Sequence, residues 1–425
     1  MNNFEINMKT RVIVGKGTHK TVGKEVKKYA DSCLIVDDGG PYLAAILADV
    51  KESLEAEGIR YMEWSKVRPN PLYSAVLDAK QVILDNDLKF VLAVGGGSTM
   101  DTGKFLAVQA VTDYDCTQLT YGVTIDVTPL PHGCISTLSG TGSEADMCAM
   151  IVDDRVEPNF KHTVFSSHMF CDFAIINPEL TYSLPARQTA AGAMDIMSHS
   201  WETYFVENPN EDLSDYYIEG IDKTVMKYAP IAIKDPTNYQ ARANLCLAAN
   251  MIMMPCLAYS GSTSYWVVHG LENPITTQFR KTHGETLGII TLAYVKWCHA
   301  HGKNIRKLTK WATEVMGAEM NYFTPEDTLL AGCEKLAAWL KSVGLSTNLE
   351  EYGLGDADLT PCAKAVVKAG STGLDFDTVM EIYSYATTRP SRRPRARRSA
   401  KTRRWTRPGR RYAPASSPPG SGICP

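Results

Sequence analysis

The chain has 425 residues, 44% hydrophobic and 21% charged, which is the composition of a globular protein too long for one core; two or three domains are expected. Its apolar runs fall short of the roughly 20 residues a bilayer span needs, and MNNFEINMKTRVIVG has no charged-then-apolar leader pattern, so no membrane association or export is expected. The net charge of −3 hides two parts: residues 389–425 hold eleven Arg, one Lys and no acid, leaving 32 basic against 47 acidic residues elsewhere, too acidic a body for nucleic-acid binding.

SCLIVDDGG reads as a strand ending in a loop, and YLAAILADVKESLEAEG as an amphipathic helix closed by Gly58. IRYMEWSKV and PLYSAVLDAKQVILDND form the next strand and helix. KFVLAVGGGS is a strand breaking into glycines, and TMDTGKFLAVQAV opens a further helix. GCISTLSGTGSE and FAIINPEL follow as short strands with loops. This alternation predicts a parallel, doubly wound α/β sheet over residues 1–184. Beyond Pro185 the pattern becomes helical to residue 387, through DLSDYYIEGIDKTVMKYAPIAIK, YQARANLCLAANMIMMPCLAYSG, TLGIITLAYVKWCHAH, IRKLTKWATEVMG and EDTLLAGCEKLAAWLKSVG. The basic tail, 388–425, is low in complexity: either a disordered arm that attracts polyanions or the product of a shifted reading frame. Eleven cysteines without a CxxC pair suit reduced, buried thiols of a cytoplasmic protein.

Two loops suggest phosphate binding. In LAVGGGSTMDTGK, Gly95, Gly96, Gly97 and Ser98 separate a strand from a helix, where backbone N–H groups point at an anion. Met100 stands where the dinucleotide fingerprint has its third glycine, and a tight turn is the competing reading. STLSGTGSEAD forms a second such loop. Asp37 and Asp38 end a strand where a carboxylate can hold ribose hydroxyls and repel a 2′-phosphate, or serve only as turn residues.

Asp195 and His199 are four apart in a helical stretch, as ligands or as an ordinary polar face. His269 is expected near the end of an apolar helix and His283 at the start of the next, with Pro274 as the break between them. One carboxylate and three imidazoles suit Fe2+ or Zn2+ rather than Mg2+ or Ca2+. His162 and His168 lie near the second loop, as ordinary residues or cofactor neighbours.

Together GGGSTMDTGK, STLSGTGSE, LPARQTAAGAMDIMSHSWETY and HGLENPITTQFRKTHGETLGI resemble the iron-containing (group III) alcohol dehydrogenase family, in its butanol dehydrogenase-like branch. The resemblance implies an N-terminal dinucleotide-binding α/β domain followed by an all-helical metal-binding domain, an architecture shared with dehydroquinate synthase. It implies Fe2+ (or Zn2+) on Asp195, His199, His269 and His283, which are then the catalytic residues. It implies NAD(H) or NADP(H) held by Asp38, Asn70, Gly96, Gly97, Ser98, Asp101, Thr137, Thr141 and Lys161, beside Gly95. A small primary alcohol or aldehyde is the expected substrate and a homodimer the expected assembly. A zinc-dependent polyol dehydrogenase, and a nucleic-acid-binding protein acting through its tail, are the rival readings. The chain departs from the family at Asn273, where a histidine is common, and in its tail.

Overall fold

In β2, Cys33 and Ile35 are buried toward one face of the sheet and Leu34 and Val36 toward the other, as expected of a strand covered on both sides. The computed structural model describes residues 6–113, 115, 118, 127–157, 159–207, 212–254 and 266–388. Its strands are β1 (Arg11–Val14), β2 (Ser32–Val36), β3 (Arg60–Trp64), β4 (Val91–Gly95), β5 (His132–Ser136), β6 (Cys148–Asp153), β7 (Phe160–Phe165) and β8 (Phe173–Ile176). Six form a sheet in the order β1-β8-β5-β4-β2-β3, every pairing parallel. Helices α1 (Val22–Val26) and α2 (Ala44–Ala56) cover one face, and α3 (Tyr73–Asn86) and α4 (Gly97–Gln109) the other.

From β2 the chain runs outward to β3, then returns past β2 to β4 and on to β5 and β8. The crossovers reverse between β2 and β4. In such a sheet the carboxyl ends of those two strands border the crevice where ligands bind.

Two features went unread in the sequence. β1 is an edge strand of only four residues, RVIV, with exposed ends and a half-buried middle, too short to announce itself. β6 and β7 pair antiparallel as a separate hairpin, with Asp153 opposite Phe160 and Cys148 opposite Phe165.

After β8 every helix or strand among the described residues is helical: α5 (Ala186–Tyr204), α6 (Asp212–Lys234), α7 (Tyr239–Met253), α8 (Val267–Phe279), α9 (His283–His301), α10 (Ile305–Lys310), α11 (Pro325–Ser342), α12 (Thr360–Ala369) and α13 (Phe376–Ser384). Pro185 precedes α5, whose residues from Thr189 to Tyr204 are all buried. It is the central helix, packed against α6, α7 and α9. IRKLTKWATEVMG, expected as one helix, is α10 followed by a π-helical turn over Trp311–Val315.

The sequence reading of Pro274 needs correction. Pro274 lies inside α8, which begins at Val267, so His269 stands near the start of that helix rather than its end. The missing N–H at 274 removes one helical bond without ending the helix, whose buried Val268, Leu271 and Ile275 belong to the main helical core. No described helix is long and apolar enough to cross a membrane. The expected basic tail lies outside the described residues.

Candidate metal centre and dinucleotide crevice

Asp195 and His199 sit one turn apart on α5, His269 is the third residue of α8, and His283 is the first of α9. The three Nε2 atoms converge on one oxygen, Asp195 Oδ1, at 3.5 Å for His199, 3.9 Å for His269 and 3.6 Å for His283. The His199 and His269 rings stack at 4.8 Å, and His269 meets His283 edge-on at 5.3 Å.

Two observations test whether these side chains fit a metal. Asp195 Oδ1 and His269 Nε2 are buried and have no hydrogen-bond partner, a costly condition unless a cation takes their lone pairs. The donor set of three nitrogens and one oxygen is that of Fe2+ or Zn2+. Asp195, His199 and His269 offer ligand atoms all within 4.8 Å of one another. The residues fit.

Two carboxylates that the sequence reading missed orient the rings. Glu202 Oε1 accepts from His269 Nδ1 at 2.8 Å and from the His269 backbone N–H at 2.7 Å. Glu272 Oε2 lies 2.7 Å from His283 Nδ1. Each acid stands three residues after one candidate ligand and lies against the candidate ligand on the next helix, from α5 to α8 and from α8 to α9. That outer layer sets tautomer and basicity. Burial pushes His199 down to about 3 despite the Asp195 charge. Asp195 is itself buried, but the surrounding imidazoles hold its carboxyl well below the ordinary range.

Glycines let the backbone close around this cluster. A Cβ on Gly284 would lie 1.9 Å from the Ala191 carbonyl oxygen, so α9 starts directly against α5. A Cβ on Gly192 would lie 2.0 Å from the Ser139 carbonyl oxygen, and Gly140 packs against the same turn, 3.4 Å from Asp195 Oδ2 by its own hypothetical Cβ. The second glycine loop and Asp195 are thereby neighbours. Glu285, fully buried, fixes the start of α9 by accepting from Arg187 at 2.8 and 2.9 Å and from Ser346 at 2.7 and 3.0 Å.

The cofactor candidates divide into two groups. Gly95, Gly96, Gly97, Ser98, Thr137 and Thr141 lie together at the carboxyl ends of β4 and β5. The Thr137 N–H donates to the Gly95 carbonyl at 3.0 Å, and a Cβ on Gly97 would strike Thr141 at 2.6 Å. Gly96 caps α4 without a side-chain capping hydrogen bond, and the N–H groups of such a helix start favour an anion. Lys104 supports the second loop from beneath, donating to the Ser143 carbonyl at 2.8 Å and Asp146 at 2.6 Å.

The other candidates have partners within the protein. Asp37 is fully buried and accepts from the Gly39 N–H and Ser65 hydroxyl, so it shapes the loop. Asp38, beyond it, accepts from the Gly40 N–H and the Tyr42 hydroxyl. Asp101 accepts from Ser143 at 2.6 Å and the Met150 N–H at 3.0 Å, which ties α4 to the second loop and β6. Asn70 occupies a left-handed turn with φ 59°. Lys161, on β7, donates to Asn273 on α8 at 3.0 Å. His162 packs edge-on to Phe160, at 4.8 Å between ring centroids, and belongs to the hairpin.

Comparison with known proteins agrees with this architecture. The family model "Iron-containing alcohol dehydrogenase" matches residues 9–178 and its C-terminal companion matches residues 189–384. NADH-dependent butanol dehydrogenase A of Clostridium acetobutylicum is 31% identical over 390 residues, covering 90% of this chain and 99% of that protein. The NADPH-dependent aldehyde reductase YqhD of Escherichia coli is 29% identical, with 90% and 98% covered. The crystal structure of NADH-dependent butanol dehydrogenase A from Thermotoga maritima superposes with a TM-score of 0.84 at 28% identity, covering 91% of this chain and 99% of that one. By its sequence, its fold and its similarity to these relatives, the chain belongs to the iron-containing alcohol dehydrogenase family.

Proposed function

We propose that the protein reduces small aldehydes, and oxidises the corresponding primary alcohols, with NAD(H) and a divalent metal held by Asp195, His199, His269 and His283. The observation that carries this reading is the convergence of three imidazoles on the unpartnered Asp195 Oδ1, next to two glycine loops at the reversal point of the sheet. When bound, the metal supplies a Lewis acid and the dinucleotide a hydride. The chain supplies placement. Gly192 and Gly140 bring the loop that follows β5 against the turn of α5 carrying Asp195, so phosphate loop and ligand face share one rigid contact. Glu202 and Glu272 hold His269 and His283 with their Nε2 atoms toward the centre. Asp38, at the end of β2, favours NAD(H), because a carboxylate there repels a 2′-phosphate. A reducing, cytoplasmic setting fits the eight described cysteines, all free.

The test is metal analysis of the purified protein together with oxidation of NADH and NADPH against butanal. About one iron or zinc per chain and butanal-dependent NADH oxidation are expected. A protein that binds neither metal and oxidises neither cofactor would refute the assignment.

A further inference from the structure

Reduction of an aldehyde consumes a proton as well as a hydride, and in the ligand cluster the one ring nitrogen that faces no carboxylate, His199 Nδ1, is buried and has no hydrogen-bond partner to pass a proton to it. The three Nε2 atoms face Asp195, and the Nδ1 atoms of His269 and His283 face Glu202 and Glu272. One turn beyond His269, α8 presents Asn273, whose amide does not titrate near neutral pH. Its Oδ1 is the acceptor for Lys161 Nζ at 3.0 Å, reaching in from β7.

The charges facing that ammonium come from three helices: Glu272 of α8, Asp101 of α4 and Asp195 of α5, in falling order of effect. Of these, Asp101 is held by Ser143 and Met150. On the hairpin itself Lys161 pairs with Val152 of β6, beside Asp153, which is bound to Arg155. Its neighbour His162 packs on Phe160, with Lys368 of α12 over that ring at 5.0 Å. Lys104, the buried lysine of α4, is tied down by Ser143 and Asp146.

We propose that Lys161, held in place by Asn273, is the proton donor of the reaction. The inference rests on the dehydrogenase reading above and names an acid for it. As hydride from the dinucleotide forms the new C–H bond, the carbonyl π bond breaks toward oxygen. An N–H bond of the Lys161 ammonium breaks and an O–H bond forms, giving the alcohol; water then returns a proton to the amine. The dinucleotide is oxidised by two electrons and the aldehyde reduced by two. Burial pushes the Lys161 pKa down, which makes the ammonium a readier acid, while the charges of Glu272, Asp101 and Asp195 oppose that shift.

The experiment compares wild type with Lys161→Arg and Lys161→Met in the pH profile of kcat for butanal reduction at saturating NADH. Alongside, the pH dependence of amine acylation at Lys161 is read by mass spectrometry on the wild-type protein with its metal and NADH bound. Wild-type kcat is expected to fall as pH rises through the Lys161 pKa, at the same midpoint as the acylation and below the ordinary lysine value of about 10.4. Arginine keeps the positive charge but does not give up a proton in this pH range. Both variants are expected to lose about 10²-fold or more in kcat at pH 7 and to lack the alkaline fall, with folding and metal content retained. The proposal is overturned if Lys161→Arg keeps wild-type kcat and its alkaline fall. It is equally overturned if both variants raise only KM for NADH, the mark of a cofactor contact, or if acylation and kinetic midpoints disagree. Wild-type protein inactive with every aldehyde would instead overturn the dehydrogenase reading, and this proposal with it.

Discussion

Replacing Gly192 by alanine adds one methyl group to α5 at its contact with the second glycine loop. Its Cβ would lie 2.0 Å from the Ser139 carbonyl oxygen, whereas a relaxed carbon–oxygen contact is about 3.3 Å. Helix and loop must therefore part by roughly 1.3 Å, taking the contact distance of that principle. Asp195 is on the next turn of the same helix, and Ser139 leads directly to the loop around Thr141. The separation thus falls on the distance between Asp195, the proposed metal ligand, and the second glycine loop. Overpacking of this kind costs about 1–3 kcal/mol in stability, and a misplacement of about 1 Å costs about 10²-fold in rate. Gly220, exposed on α6 with no atom within 4 Å of an added Cβ, is the control. Alanine there should stabilise by up to about 1 kcal/mol through helix propensity and leave turnover unchanged. The assay is kcat for butanal reduction at saturating NADH, with Tm and metal content measured on the same preparations. A Gly192→Ala protein with wild-type Tm and kcat within twofold of wild type would show that this contact does not set the geometry.

Three further outcomes follow from the same geometry. His283→Ala should remove most of the bound metal and abolish activity while leaving the far-ultraviolet circular dichroism intact, because α5, α8 and α9 keep their buried apolar faces; full metal occupancy would contradict the ligand assignment. Asp38→Gly should raise kcat/KM for NADPH relative to NADH, and an unchanged ratio would mean that Asp38 faces elsewhere. Burial raises Glu144 from 4.5 to about 7, so the folded protein holds a proton there that the unfolded chain has released. That stabilisation is complete below about pH 4.5 and is lost as pH rises through 7. Glu144→Gln should therefore raise the unfolding free energy from urea titration over wild type by an amount that grows from pH 5 to pH 8, to at most about 3.5 kcal/mol at about 1.4 kcal/mol per pKa unit; a pH-independent difference would count against a buried charge.

The strand–helix alternation from β2 to α4 was legible because each element carries its own period and each boundary its own glycine or polar break. β1 and the β6–β7 hairpin were not: RVIV is only four residues long, CAMIVD is a short apolar run with no clean alternation, and FKHTVF is short, largely half-buried and mixed in polarity. Asp195 and His199 could be picked out by helical spacing. Their convergence with His269 and His283 depends on contacts between helices, which spacing does not encode. Pro274 misled because a proline is usually read as a helix end, whereas here the buried positions on either side of it keep the helix continuous. Glu202 and Glu272 did leave a trace: HSWE and HGLE place an acid three residues after each of two ligands. That trace gains meaning only once the neighbouring helix is known to supply the ring.

The β6–β7 hairpin belongs to the strand-bearing part of the chain, yet Lys161 is bound to Asn273 of α8 and Phe160 lies under Lys368 of α12. Chimeras made by exchanging segments between relatives therefore have a natural seam that does not follow chain order. A crossover near Pro185 would separate 148–165 from the helices that complete it, whereas co-inheriting that hairpin with 267–279 and 360–369 from one parent would keep both contacts intact.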